Sequence, residues 1–322
     1  MTRAVARSHP NIALVKYWGK QDEQLILPAA GSLSLTIDAF PTTTEVTLDS
    51  GATEDTFSLN GIPGAVGQTA RVSALLDIVR EAAGVSTFAH VDSVSEIPTD
   101  AGLASSAAGF SALAAAAAAA YGLDLDPRAL SRLARRGSGS ASRSVIPGLA
   151  VWHAGNDEES FAEPVDGPDV RMVIVTLSTG AKPVSSREAM RICMLTSPYY
   201  SAWVDSTKWT LEGALEACKD NDFTRLGRIT ELHANRMHAL IQSADPPIRY
   251  LTPQSVAVFD AVAQLRQEGR NCYATADAGP NVVVLTTPDD ADRVARHLAG
   301  FGQTRVVGAG LGAAVIERGV AS

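Results

Sequence analysis

The chain has 322 residues, 46% apolar and 19% charged, enough for one large or two moderate domains around a sizeable core and unlike a disordered composition. A net charge of −8 argues against nucleic acid or an anionic membrane as the main partner, so an anionic ligand needs a local basic pocket. Three separated cysteines, Cys193, Cys218 and Cys272, form no C-x-x-C, which argues against disulfides and structural zinc and suits a reducing cytosol.

Residues 1–10 carry no apolar core of the signal-peptide kind. The segment Asn11-Ile12-Ala13-Leu14-Val15-Lys16-Tyr17-Trp18-Gly19-Lys20 follows. Its two lysines and Tyr17 read either as donors to an anion or as the solvated side of an edge strand. Residues 33–37 and 44–48 alternate like strands, with Pro41 between them. Residues 68–83 predict a helix with Val72, Leu75, Leu76 and Val79 on one face and Gly84 as its stop. A strand over 87–97 leads to the small-residue loop 98–109, and an Ala-rich helix is predicted from Ser111 to Ala120. A bare helix N-terminus offers unpaired N–H groups and partial positive charge, and Gly102 with small neighbours lets a phosphate approach. The loop is a candidate nucleotide cradle, or else an ordinary Ser-capped buried helix; no Gly-Lys-Ser/Thr follows, so it is not a Walker A loop. The apolar run 112–120 is too short and too weakly hydrophobic to span a bilayer.

Asp126-Pro127 caps a helix over 127–136. The following Gly137-Ser138-Gly139-Ser140-Ala141-Ser142-Arg143-Ser144 concentrates anion donors, with Arg143 the strongest. After a buried strand at 171–177, Lys182-Pro183-Val184-Ser185-Ser186-Arg187-Glu188 reads as a ligand loop or a plain helix cap. Helices over 206–219 and 222–242, and another capped by Thr252-Pro253, precede strands at 271–275 and 281–286 around Asp277-Ala278-Gly279-Pro280-Asn281. Asp277 is either a turn former or a catalytic base. A helix over 289–298 and a strand over 304–316 close the chain. His233 and His238, five residues apart and on different helix faces, read as structural or surface residues. Strands and helices mix throughout, which gives an α/β or α+β class with a soft boundary near 178–185.

The 11–20, 101–109, 137–144 and 277–281 segments, in that order, resemble the diphosphomevalonate decarboxylase family of the GHMP kinase superfamily. The resemblance implies a two-lobe α+β GHMP kinase fold, with a ribosomal protein S5 domain 2-like lobe over 1–182 and a ferredoxin-like lobe over 183–322. It implies a cytoplasmic homodimer using ATP and Mg²⁺ that converts 5-diphosphomevalonate to isopentenyl diphosphate, ADP, phosphate and CO₂. It implies Asp277, Lys16 and Ser106 as catalytic residues, and Gly102, Leu103, Ala104, Ser105, Ser106 and Ala107 around the nucleotide. Ser105 or Ser106 would meet the metal. Tyr17, Lys20, Ser138, Ser140, Arg143, Ser186 and Arg187 would hold the substrate's diphosphate and carboxylate.

Two departures bear on substrate preference. Val145-Ile146-Pro147-Gly148 stands where the family has an aromatic or large apolar residue and Gly-Gly, and Asp100 sits beside the phosphate loop. A 5-phosphomevalonate decarboxylase, a mevalonate 3-kinase and a non-catalytic nucleotide-binding regulator are the alternative readings.

Overall fold

The computed structural model describes residues 2–96, 105–178 and 184–320. The chain opens with β1 (Thr2–Ser8), β2 (Asn11–Val15) and a small hairpin of β3 (Lys20–Asp22) and β4 (Leu27–Pro28). Next come β5 (Ser32–Thr36), β6 (Thr42–Asp49), β7 (Thr56–Leu59) and β8 (Ile62–Pro63). Helix α1 (Val66–Ala83) ends on Gly84 in the left-handed conformation, φ 67°, and β9 (Phe88–Ser95) follows. Helices α2 (Ser105–Ala120), α3 (Pro127–Gly137) and the single turn α4 (Ala141–Ser144) precede β10 (Leu149–Trp152), β11 (Ala162–Pro164) and β12 (Arg171–Thr176). Four helices come next: α5 (Ser186–Thr196), α6 (Tyr200–Lys219), α7 (Phe223–Gln242) and α8 (Pro253–Gln267). The chain closes with β13 (Cys272–Thr275), β14 (Val282–Thr286), α9 (Pro288–Leu298), β15 (Gln303–Val307) and β16 (Ala314–Val320).

The strands form a six-stranded sheet, β16-β1-β6-β9-β7-β8, a four-stranded sheet, β11-β10-β5-β2, and a second four-stranded sheet, β13-β14-β12-β15. Among the described residues only the β7–β9 pair is parallel. This is the two-lobe α+β architecture. Helix α2 runs through the first core against β1 and β6. Its alanines are almost all buried, and their small side chains allow that close approach. A second core joins the lobes: Ile12 and Leu14 of β2 and Leu33 and Leu35 of β5 pack with Met172 and Ile174 of β12 and with Leu226 of α7.

Two expectations need correction. Helix α2 starts at Ser105 rather than Ser111, whose buried hydroxyl instead donates back to Ala107 O at 2.8 Å. The Gly and Ser content of 105–109 disguises a first turn whose buried Ala107 and Ala108 belong to the core. The single strand over 304–316 is two strands in different sheets, β15 beside β12 and β16 beside β1. Strand β12 pairs with β14 and β15, and β16 returns to β1.

Candidate active site

Lys16 follows the last residue of β2, and Asp277 lies in the turn between β13 and β14. Their side chains meet at 2.7 Å, Lys16 Nζ to Asp277 Oδ1, and Nζ also donates to Ala13 O at 2.7 Å. Lys16 is 1% exposed and Asp277 33%. Burial pushes the Lys16 amine down from the ordinary lysine range, Asp277 opposes that, and Arg143 adds to it. The result is a buried amine, its charged form disfavoured by burial, held against a carboxylate that is a third exposed.

Arg143 ends the Ser/Gly loop. Its Nη1 donates to Ser32 Oγ at 2.7 Å and its Nε to Asn11 Oδ1 at 3.2 Å. Asn11 in turn donates to Ser140 O at 2.9 Å and Ser144 Oγ at 2.7 Å. The serine and threonine side of β5, an interior strand of its sheet, is buried, and Ser32 and Thr36 meet this loop. Burial lowers the Arg143 guanidinium to about 10, which leaves it cationic at neutral pH. Tyr17 packs edge-on against Trp152 with centroids 4.8 Å apart. Its buried hydroxyl has no hydrogen-bond partner among the described residues and points at Gly139, where a Cβ would lie 2.9 Å away. Burial raises the phenol, against the pull of Arg143 and Arg187. An orphaned hydroxyl beside two serines and an arginine is a donor set waiting for an anion.

Ser106, in the first turn of α2, reaches Ser138 Oγ at 3.2 Å, and Ser138 reaches Ser140 at 3.4 Å. Next to this chain lies a cavity of about 180 Å³ lined by Phe57, Leu59, Arg71, Ser106 and Phe110, among others. Gly102, Leu103, Ala104, Asp100, Lys182 and Pro183 lie outside the described residues, as does the Ser105 side chain. Ala107 is fully buried, so its part in binding would be through its backbone.

Lys20 is half-buried and Arg187 exposed. Burial lowers Lys20, and the neighbouring Arg187 charge adds to that. Arg71 is lowered to about 10 for the same two reasons, so three cations share one neighbourhood. Ser186 opens α5, but the N-cap is Ser185, whose hydroxyl accepts from Glu188 N at 3.2 Å. Arg71 is missing from the sequence reading. It sits on the polar side of a predicted surface helix, and only the fold reveals that its guanidinium stacks on Phe110 at 4.5 Å and donates to Gly137 O at 2.9 Å.

Residues 8–162 match the diphosphomevalonate decarboxylase-like N-terminal domain, and residues 172–307 match the mevalonate 5-diphosphate decarboxylase C-terminal domain. The human diphosphomevalonate decarboxylase is 37% identical over 318 residues, covering 90% of this chain and 78% of that protein. The chain belongs to the diphosphomevalonate decarboxylase family. The Aspergillus fumigatus member is 36% identical over 91% of this chain and 79% of its own. The Staphylococcus aureus mevalonate diphosphate decarboxylase superposes with a TM-score of 0.94 at 40% identity, over 98% of both chains. A complex of MDDEF with MVAPP, AMPPCP and magnesium superposes at 0.93 and 44%, over 98% of this chain and 99% of that one. Within the family, the departure at Pro147-Gly148 is absorbed locally. Gly148, at φ 61°, accepts from Thr36 N at 2.8 Å and donates to Gly310 O at 3.0 Å, so the anion loop ahead of it keeps its anchors.

Proposed function

We propose that this chain carries out the ATP-dependent decarboxylation of 5-diphosphomevalonate to isopentenyl diphosphate, with ADP, phosphate and CO₂ as the other products. The observation that carries the reading is the buried Lys16–Asp277 pair, flanked by Arg143, which Asn11 ties to Ser140 of the Ser106–Ser138–Ser140 chain.

The donors divide by position. Arg143, Tyr17, Ser138 and Ser140 bind the carboxylate and diphosphate of the substrate, with Lys20, Arg187 and Ser186 at the outer end. Arg71 joins that outer group. The α2 N-terminus and the cavity beside it suit the phosphates and base of ATP, which supplies the phosphoryl group. Magnesium fits the donor chemistry. Magnesium takes hard oxygen ligands and is held largely through substrate phosphates with few protein groups. Ser106, or Ser105, would add a hard oxygen ligand.

Asp277 accepts the proton of the C3 hydroxyl as that oxygen takes the phosphoryl group and ADP departs. Lys16, hydrogen-bonded to Asp277, faces the charge that gathers on the transferring group, where a preorganised donor in a buried site is most effective. The C3–O bond then breaks to release phosphate. The electron pair of the C1–C2 bond becomes the C2–C3 double bond, and CO₂ leaves. No electron-sink group is required, because the departing phosphate accepts the electrons.

A homodimer in the cytosol belongs to the same proposal. Trp209 and Leu232, 70% and 48% exposed on the packed pair α6 and α7, support the first, and three buried free cysteines support the second. Sedimentation tests the dimer and cell fractionation the location. The reaction itself is tested by turnover of mevalonate, 5-phosphomevalonate and 5-diphosphomevalonate with ATP. The proposal requires the diphosphate to be preferred, and equal use of the monophosphate would assign the chain to the alternative decarboxylase.

A further inference from the structure

Two buried histidines have no part in the chemistry described so far. We propose that α7 is a brace that registers the two reacting groups against each other, with His233 holding the Lys16 backbone and His238 holding the backbone beside Asp277. The inference rests on the reading of Lys16 and Asp277 as the reacting pair.

The need for a brace follows from topology. Strand β2 is the edge of one four-stranded sheet and β13 the edge of the other. Lys16 and Asp277 lie just beyond the ends of these strands. No ladder hydrogen bond joins the two strands, so the sheets alone do not fix the 2.7 Å contact between the side chains. Edge strands also leave outward N–H and C=O groups that need partners once buried. Helix α7 packs against both β2 and β13. Five residues turn a helix by about 140°, so His233 and His238 face the two different neighbours.

At the first contact, Lys16 N donates to His233 Nδ1 at 2.9 Å. Nδ1 is therefore the unprotonated nitrogen, and Nε2–H donates to Thr207 Oγ1 at 3.1 Å. Thr207 Oγ1 in turn donates to Trp203 O at 2.8 Å. Trp203 stacks on the imidazole with centroids 4.5 Å apart and donates from its indole to Trp18 O at 2.8 Å, fixing the same segment a second time. At the second contact, Nε2–H of His238 donates to Ala276 O at 3.3 Å, one residue before Asp277. Glu231, two helix turns earlier and held by Arg266, accepts from Ala274 N at 2.8 Å. The rings are 0% and 3% exposed, and burial keeps both neutral. Each histidine thus presents the one function its neighbour lacks: an acceptor for an amide, a donor for a carbonyl.

Asparagine places its amide near Nδ1 of the imidazole it replaces, and glutamine near Nε2. The brace therefore predicts opposite rescue at the two positions. H233N and H238Q keep kcat within about threefold, whereas H233Q and H238N lose about tenfold to a hundredfold with KM unchanged, since a misplacement of about 1 Å costs on this scale. Amide exchange monitored by mass spectrometry provides a readout that needs no turnover. Exchange over 14–18 rises in H233Q but not H233N, and over 274–279 in H238N but not H238Q. The asparagine and glutamine variants of each site are compared at matched thermal stability. Equal kcat and equal exchange for Asn and Gln at either site would overturn the brace. Should the wild type fail to release CO₂, the reading of the reaction falls and the exchange pattern still decides the brace.

Discussion

The Lys16–Asp277 pair is unequally buried, and that asymmetry predicts which partner the fold can lose. Lys16 is 1% exposed and Asp277 33%. In Asp277→Ala the ammonium stays buried with only the Ala13 carbonyl among its hydrogen-bond partners above. Breaking a buried pair by removing one charge costs about 3–5 kcal/mol, so a loss of about 3 kcal/mol is expected. Lys16→Met removes the buried charge and fills its volume, and the carboxylate left behind has access to water. That substitution is expected to change stability by less than about 1 kcal/mol, as apolar replacements of buried ions often do. Adding Lys16→Met to Asp277→Ala should therefore recover most of the loss. Without Asp277 the Lys16 amine titrates lower still in the folded state than in the unfolded chain. The deficit of Asp277→Ala then shrinks as pH rises toward the unfolded lysine value of about 10.4. The assay is the urea midpoint of the four proteins at pH 7 and at pH 9.5. A Lys16→Met protein as unstable as Asp277→Ala would refute the reasoning, while turnover should vanish in both.

Acid should expose the neutral histidines. Burial lowers His233 to about 3 and His238 to about 4, so the stability they contribute is complete above the unfolded value of about 6.5 and is lost as pH falls below it. Between pH 8 and pH 5 that is about 2 kcal/mol each, read as a falling urea midpoint that flattens in the H233N/H238Q protein. Gly139→Ala puts a methyl 2.9 Å from the Tyr17 hydroxyl and 3.0 Å from Trp152, so KM for the diphosphate substrate should rise about tenfold or more with little change in ATP binding. Arg143→Lys is not conservative: one ammonium cannot keep the Ser32 and Asn11 contacts and still face an anion, and a loss of about 2 kcal/mol in kcat/KM is expected from steady-state kinetics.

The local elements were largely legible in the sequence because their signals are local. Asp126-Pro127 and Thr252-Pro253 cap helices where they are found, with Asp126 accepting from Ala129 N and Thr252 from Ser255 N. Apolar periodicity placed Val72, Leu75, Leu76 and Val79 on the buried face of α1. The site segments were legible as an ordered set, since each carries its own donors. What long-range topology decides was not legible. The 304–316 stretch divides between two sheets because β16 closes the edge beside β1, 312 or more positions away in the chain at the first paired residues. Arg71 looks like a surface residue until α1 is laid against Phe110 and Gly137. His233 and His238 point to different faces, which argues against a shared site on one helix face but fits a helix wedged between two sheet edges.

The most direct test of the central claim is the fate of the substrate carboxyl carbon. Carboxyl-labelled 5-diphosphomevalonate is incubated with ATP, Mg²⁺ and either the wild type or Asp277→Asn, and CO₂ and ADP are counted together. The wild type should release one CO₂ for each ADP, and the variant should release neither while still binding ATP. ADP formed without CO₂ would make the chain a kinase that stops at C3, and an active Asp277→Asn protein would remove Asp277 from the chemistry.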